Sequence, residues 1–401
     1  EYAAKVGALP YDVMSSDEAR EEVRGNPYSF LHVDKSEVDL DPAIDLYDDR
    51  VYAKASENLK QLEADGVLVQ DPERYYYIYC QTMDGRKQYG FVACPSIDDY
   101  LNNNIKKHEF TRADKEKDRI RHVDETDANT GPIFLTHRPS KELSDISASW
   151  RKAHAPVYDY TADDGIGHTV WVIDDAATIS NIEECFSRID ALYIADGHHR
   201  CASAVKVGEM RRKQNPNFSG DEEFNFFLAV IFSSDELKIL DYNRLVKDLN
   251  GLSEDEFLSK LRESFDVEKY AGAGQMRPEK KHTFGMYLGN TWYSLTAHSD
   301  LYDENDPTGR LDVSILQTKL LEPILGIGDP RVDKRIDFVG GIRGLKELED
   351  RVAGGMAVAF SLFPTTIEDL MAISDAGLVM PPKSTWFEPK LRSGLFVHKL
   401  S

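Results

Sequence analysis

Cysteine is scarce in this chain: Cys80, Cys94, Cys185 and Cys201 are the four among 401 residues, and no two have Cys-x-x-Cys spacing. That excludes a disulfide framework, and it points to the reducing cytoplasm as the expected location. Positive charge is also short, with 48 Lys and Arg against 70 Asp and Glu and a net charge of −22. A field of that sign repels polyanions, which excludes a general binder of nucleic acid or of anionic membranes. No apolar run approaches the roughly 18 residues of a spanning helix, and the opening Glu1-Tyr2-Ala3-Ala4-Lys5 does not have the pattern of a signal peptide. Internal repeats and low-complexity segments are missing. So are GxGxxG, the P-loop pattern and the loop set of protein kinases, so a Rossmann or P-loop enzyme is not expected.

What remains is ordinary globular material, 41% hydrophobic and 29% charged. At about 150 residues per domain the length suits two or three domains. The expected division is an N-terminal α/β region over 1–103, a core over 104–245 and a C-terminal α/β region over 246–401. Ser15 with Glu18 and Ser253 with Glu256 have the spacing of capping boxes. Asp84-Gly85, a Gly-rich loop near 165 and Gly289-Asn290 each sit between strand-like runs, which predicts three β-hairpins. Helices are expected over 41–64, from 198 to about 214, over 311–325 and over 366–375. Phe226 to Phe232 reads as a central strand. The fold class is therefore α/β of the α+β type, with mixed sheets and antiparallel hairpins.

The most informative stretch runs from Tyr193 to Ala204. An apolar strand ends at Asp196, Gly197 permits a sharp turn, and His198, His199 and Arg200 open a helix. Helix starts present unpaired N–H groups and the positive end of the dipole, so anions settle there. Three basic side chains make that end a receptacle for phosphate, with Asp196 beside it as metal ligand or proton acceptor. The bland alternative is a strand–helix junction in which one His only caps or packs.

Three other segments are dense in reactive residue types. In Lys106-Lys107-His108-Glu109-Phe110-Thr111-Arg112, His108 offers a base, Glu109 an acid or metal ligand and Thr111 a hydroxyl. Asp118-Arg119 follows and either pairs internally or clamps a phosphate. The opposing reading is a solvated helix face with i,i+4 ion pairs. Met380-Pro381-Pro382-Lys383-Ser384-Thr385-Trp386-Phe387-Glu388-Pro389-Lys390 carries cations and hydroxyls on a Pro-stiffened loop, which suits phosphate oxygens, unless the charges merely face water. Pro10-Tyr11-Asp12-Val13 is either a helix lead-in or a source of polar side chains for a cleft.

With these four segments in hand, the chain resembles DUF1015, a bacterial and archaeal family of unknown function, over nearly its whole length. Cys201 departs from the pattern, standing where an aromatic residue is expected after the Arg. The Asp-Gly-His-His-Arg element is also similar to the phosphate-binding turn of the ParB/sulfiredoxin-like superfamily, which includes nucleotide-dependent free-serine kinases. The resemblance implies a ParB/sulfiredoxin-like core and transfer of a phosphoryl group, from pyrophosphate or a nucleotide, to the hydroxyl of L-serine. It assigns Asp196 or Glu109 as base, with His108 among the catalytic residues. Gly197, His198, His199, Arg200 and Arg119 would hold the donor, with Lys383, Ser384 and Lys390 closing over it. Tyr11, Asp12 and Thr111 would serve the acceptor, and Asp196 a Mg²⁺ ion. All four segments are expected around one cleft.

Two other readings stand beside this one. A metal-dependent hydrolase would use His108, Glu109, Asp196, His198 and His199 as ligands, against the repulsion of the surrounding cations. A nucleotide-gated binding module would bind without turnover, although the charge and the lack of a helix-turn-helix signal oppose DNA. A small molecule is the expected partner, with neither nucleic acid nor membrane.

Overall fold

The computed structural model describes residues 2–401, an α/β molecule of mixed sheets with no barrel. Two compact units share the chain, one reaching to Leu237 and resuming over Pro389–Ser401, the other formed by Lys238–Glu388. Among the described residues no helix is long and apolar enough to cross a membrane.

The first unit is built on one eight-stranded sheet, in the spatial order Ile105–Lys106, Leu192–Asp196, Ile133–His137, Ala229–Ser233, Arg86–Ala93, Tyr76–Met83, Gly167–Ile173, Tyr158–Thr161. This sheet takes strands from both sides of position 103. The Asp84-Gly85 hairpin forms with both turn residues at positive φ, the backbone twist a two-residue hairpin needs. Ala229–Ser233 lies inside the sheet, parallel to Ile133–His137 and antiparallel to Arg86–Ala93, which is why Phe226 to Phe232 reads as an unbroken apolar run. One face packs Ile78, Phe91 and Ile173 against Leu143, Trp150 and Ile182 of the helices Lys141–Ala153 and Ala176–Ser187. On the same face Ile133, Leu135, Ile194 and Ile231 meet Cys201, Ala204 and Val205 of the helix His198–Gln214. Cys201, fully buried, therefore serves packing.

The second unit carries a six-stranded sheet in the order Phe265–Lys269, Thr291–Ala297, Thr283–Leu288, Val358–Ser361, Tyr242–Val246, Ile336–Gly340, with every pairing antiparallel. Its first and last segments pair with each other, Ile239 with Phe387 and Leu240 with Trp386.

Two expected helices differ in the structure. The one expected from residue 41 begins at Asp49, because Asp41 and Asp45 each accept a bond from the N–H two residues on and hold that stretch in turns, and Asp48 then caps the helix by accepting from the Arg50 N–H. The one expected over 311–325 is α-helical only at Asp312–Leu316 and widens to a π turn at Gln317–Leu321. There the Thr318 hydroxyl takes the Ser314 carbonyl and Glu322 N–H reaches back five residues to Gln317.

Candidate phosphoryl-binding site

The site is assembled at the end of the strand Leu192–Asp196. Ile194 stands opposite Leu135, but Asp196 stands opposite Phe134, so Ala195 is one residue too many for the register. Adjacent residues on a strand face opposite ways, so the bulge turns Asp196 away from the core face that Ile194 joins. Gly197 follows at φ +91°, the left-handed region, and a Cβ there would lie 3.2 Å from the Arg200 guanidinium. His198, His199 and Arg200 form the first turn of the 17-residue helix, and no side chain caps its start.

The parallel strand Ile105–Lys106 pairs Lys106 with Tyr193, which brings His108, two residues on, level with the end of the neighbouring strand. The His108 and His198 rings meet edge to face, centroids 4.4 Å apart. Glu109 lies 3.7 Å from His198 Nδ1. His108 Nδ1, His198 Nε2, His199 Nδ1 and Arg200 Nε are all buried without a hydrogen-bond partner. Buried polar groups in folded proteins are almost always paired, so four orphans around one turn mark a place shaped for something else.

The electrostatics have the same sense. Burial opposes ionisation of Asp196, but Lys390 and Arg200, with hydrogen bonds from Lys390 and the Gly197 N–H, outweigh it and hold the carboxyl below its usual range. Lys390 Nζ donates to Asp196 Oδ2 at 3.0 Å and Gly197 N–H to Oδ1 at 2.8 Å. Burial lowers His108 to about 4, against the pull of Asp196 and a bond to the Ile194 carbonyl. Burial and the neighbouring His108 take His198 well below the ordinary imidazole value, although Asp196 pulls the other way. Burial also lowers His199, against the charge of Asp12. All three imidazoles are thus neutral at physiological pH.

The N-terminal segment belongs to the same neighbourhood. Arg119 stacks over the Tyr11 ring at 4.1 Å. Burial raises the Tyr11 phenol to about 12, although Arg119 and Arg200 both lower it. Tyr11, Arg119 and Arg200 line a cavity of about 30 Å³ with Asp34, His122 and Thr130, room for a water or two. Arg119 pairs with Asp118 at 2.9 Å, and Asp118 also accepts the Tyr52 hydroxyl at 2.8 Å. Of the two alternatives for Asp118-Arg119, internal pairing is the one seen. Thr111 donates to Glu116 at 2.7 Å.

Lys383 and Ser384 belong to the second unit. There the Ser384 hydroxyl donates to the Pro381 carbonyl at 2.6 Å, and the Lys383 ammonium lies 5.5 Å from the centre of the Tyr242 ring. Lys390, seven residues on, is back in the first unit. Among the described residues no three His, Cys, Asp or Glu side chains gather as a metal ion would need, so the five residues of the hydrolase reading do not form a ligand set. A Mg²⁺ ion fits only with phosphate oxygens completing its shell, since Asp196 would be its protein anchor.

Sequence reasoning missed Gln81, Gln88, His168 and Arg392, all buried in the first unit. The signal available for two of them was a pair of glutamines placed symmetrically about the Asp84-Gly85 turn, and so opposite each other in the hairpin.

Fold and site together define an α/β protein with a strand–Gly–helix turn ringed by buried nitrogens of three histidines and Arg200. The family model of DUF1015, described as a protein of unknown function, matches residues 1–314, and the chain belongs to that family. No curated protein matches it. Among solved structures, a free serine kinase in complex with AMP overlays 75% of this chain and 91% of its own, at 15% identity and a TM-score of 0.37. A conserved hypothetical protein from Pyrococcus furiosus gives 16% identity over 75% of this chain and 93% of that one, TM-score 0.36. SbnI with C-terminal truncation from Staphylococcus aureus gives 11% identity over 75% and 85%, TM-score 0.39. These are partial overlays.

Proposed function

We propose that this protein is a phosphotransferase acting on a small-molecule hydroxyl, specifically a free L-serine kinase that makes O-phospho-L-serine from pyrophosphate or a nucleotide. The observation that carries this reading is the set of four orphaned nitrogens, from three histidines and Arg200, around an uncapped helix start with Asp196 beside it. An anionic phosphate would accept from Arg200 and, once they take up a proton, from the orphaned imidazole nitrogens, and Arg200, Lys390 and the helix N–H groups would neutralise its charge.

Phosphoryl transfer demands positioning and charge neutralisation more than covalent work by the protein. A carboxylate held as low as Asp196 is a weak base, so its part is to orient the acceptor hydroxyl and take the proton late. Glu109, beside His198, is the second carboxylate within the motif. Tyr11, Asp12 and Thr111 are assigned to the acceptor. Mg²⁺, held by Asp196 with donor oxygens, would supply further charge neutralisation.

The test is ³¹P NMR of the protein with Mg²⁺ and L-serine, given pyrophosphate, ATP or ADP in separate tubes. An O-phosphoserine resonance is expected in at least one tube. Arg200→Ala should slow its formation roughly 10³-fold, the worth of a positioned cationic clamp. Orthophosphate without phosphoserine, or full activity in both Arg200→Ala and Asp196→Asn, would overturn the assignment.

A further inference from the structure

The face of the large sheet opposite the helices carries a row of polar side chains that the reaction itself does not explain. Gln81 stands directly opposite Gln88 on one neighbouring strand and opposite His168 on the other, so all three project from the same face. None is more than 1% exposed. Burying two amides and an imidazole side by side is costly unless each is bonded, and an apolar row would fill the space as well. Here every one is bonded, and the row ends on the C-terminal segment that bears Lys390.

Gln88 Nε2 donates to Gln81 Oε1 at 3.0 Å, which leaves the Gln81 amide hydrogens to donate to the Lys390 carbonyl at 2.8 Å. Two residues on, Arg392 Nε donates to His168 Nε2 at 3.3 Å, and its guanidinium also pairs with Asp164. His168 accepts at Nε2, so its proton is on Nδ1, 2.7 Å from the Tyr79 hydroxyl. Ser393 then pairs with Ala8 through two backbone bonds. The segment is thus tied at residues 390, 392 and 393, and its Lys390 side chain projects to Asp196, which the bulge has turned onto this same face.

We propose that the buried Gln88–Gln81–His168 row is a positioning device that fixes the Lys390 ammonium against Asp196. This rests on the phosphotransferase reading for its catalytic consequence, but not for its structural one. Lys390 has a flexible stem, and as a point charge it is useful only where it is held. The row fixes the backbone from which it projects.

The test is Gln81→Met with Gln88→Met in one chain. Removing both amides leaves neither amide unpaired, Met is close in length and adaptable, and the buried group left without its donor is the Lys390 carbonyl, the tether under test. The first measurement is the rate of lysine modification by an amine reagent, mapped by peptide mass spectrometry. Lys390 labelling should rise at least about tenfold as the tether opens locally. Lys35, equally buried in its pair with Glu37, should label as in the wild type. The second is steady-state phosphoserine formation, where kcat should fall about tenfold with the KM for serine little changed, the mark of a misplaced group rather than a lost binding contact.

Unchanged Lys390 labelling in the double variant would overturn the inference, and so would Lys35 labelling that rises in parallel. If the wild type forms no phosphoserine with any donor, the functional reading fails, while the labelling result still decides the positioning role.

Discussion

His108, His198 and His199 are each kept neutral chiefly by burial, with Asp196 or Asp12 pulling the other way. A phosphate placed among them would raise their affinity for protons, so binding should be accompanied by proton uptake. Titration calorimetry of pyrophosphate in buffers of different ionisation enthalpy should show this, with affinity rising as pH falls from 8 towards about 6. The same burial has a consequence for stability. His108 titrates at about 4 when folded and near 6.5 when unfolded, so the unfolded chain binds the proton first. Stability therefore falls as pH drops from about 6.5 and the loss is complete near 4, at up to about 3 kcal/mol for this residue. Asp196, held low, adds a further loss only below its unfolded value of 3.8. Urea melts at pH 7 and pH 5 should show a smaller difference for His108→Asn than for the wild type. At this scale the sequence was readable where reactive residues are contiguous, as in Asp196 to Arg200. Gln81 and Lys390 are 309 positions apart, and no local pattern announces a bond of that span.

The strand–Gly–helix turn works because one residue has no side chain. Gly197→Ala would put a Cβ at positive φ and 3.2 Å from the Arg200 guanidinium. A cost of roughly 1–2 kcal/mol is expected from the backbone alone, read as a lower urea midpoint. Activity should fall by more than that loss explains, because the displaced group is Arg200. Elements of this kind were legible because their signals are local. Ser15 and Ser253 head capping boxes with Glu18 and Glu256 as their spacing predicts, and Asp84-Gly85 turns its hairpin. What spacing did not reveal was the competition of side chains for backbone groups. Asp41 and Asp45, which delay the helix to Asp49, and the Thr318 hydroxyl at the π turn are of that sort. The bulge at Ala195 was equally hidden, since it depends on which residue of a strand about 60 positions earlier lies opposite.

On the scale of the whole molecule, the second unit is inserted into the sequence of the first. Its first and last segments are bonded to each other, through Ile239 with Phe387 and from Glu388 N–H to the Lys238 carbonyl. A unit whose two ends lie side by side can be exchanged for a short turn. A chain in which a Gly-Ser turn replaces 238–388 should therefore fold, with a single cooperative melt by circular dichroism and Lys390 still protected from amine reagents. Failure to melt cooperatively would show that the first unit depends on the second. Nesting is also why the organisation was hard to read in advance. Boundaries sought along a chain assume that each body is one stretch, whereas here the first body resumes after 151 residues of the other. That order bears on biosynthesis. The ribosome delivers Asp196, the histidines and the last strand of the large sheet long before Lys390. A nascent chain therefore has the strand–Gly–helix turn before it has the cation that holds Asp196, and the charge pairing at this turn is completed only after the whole of the second unit has been made.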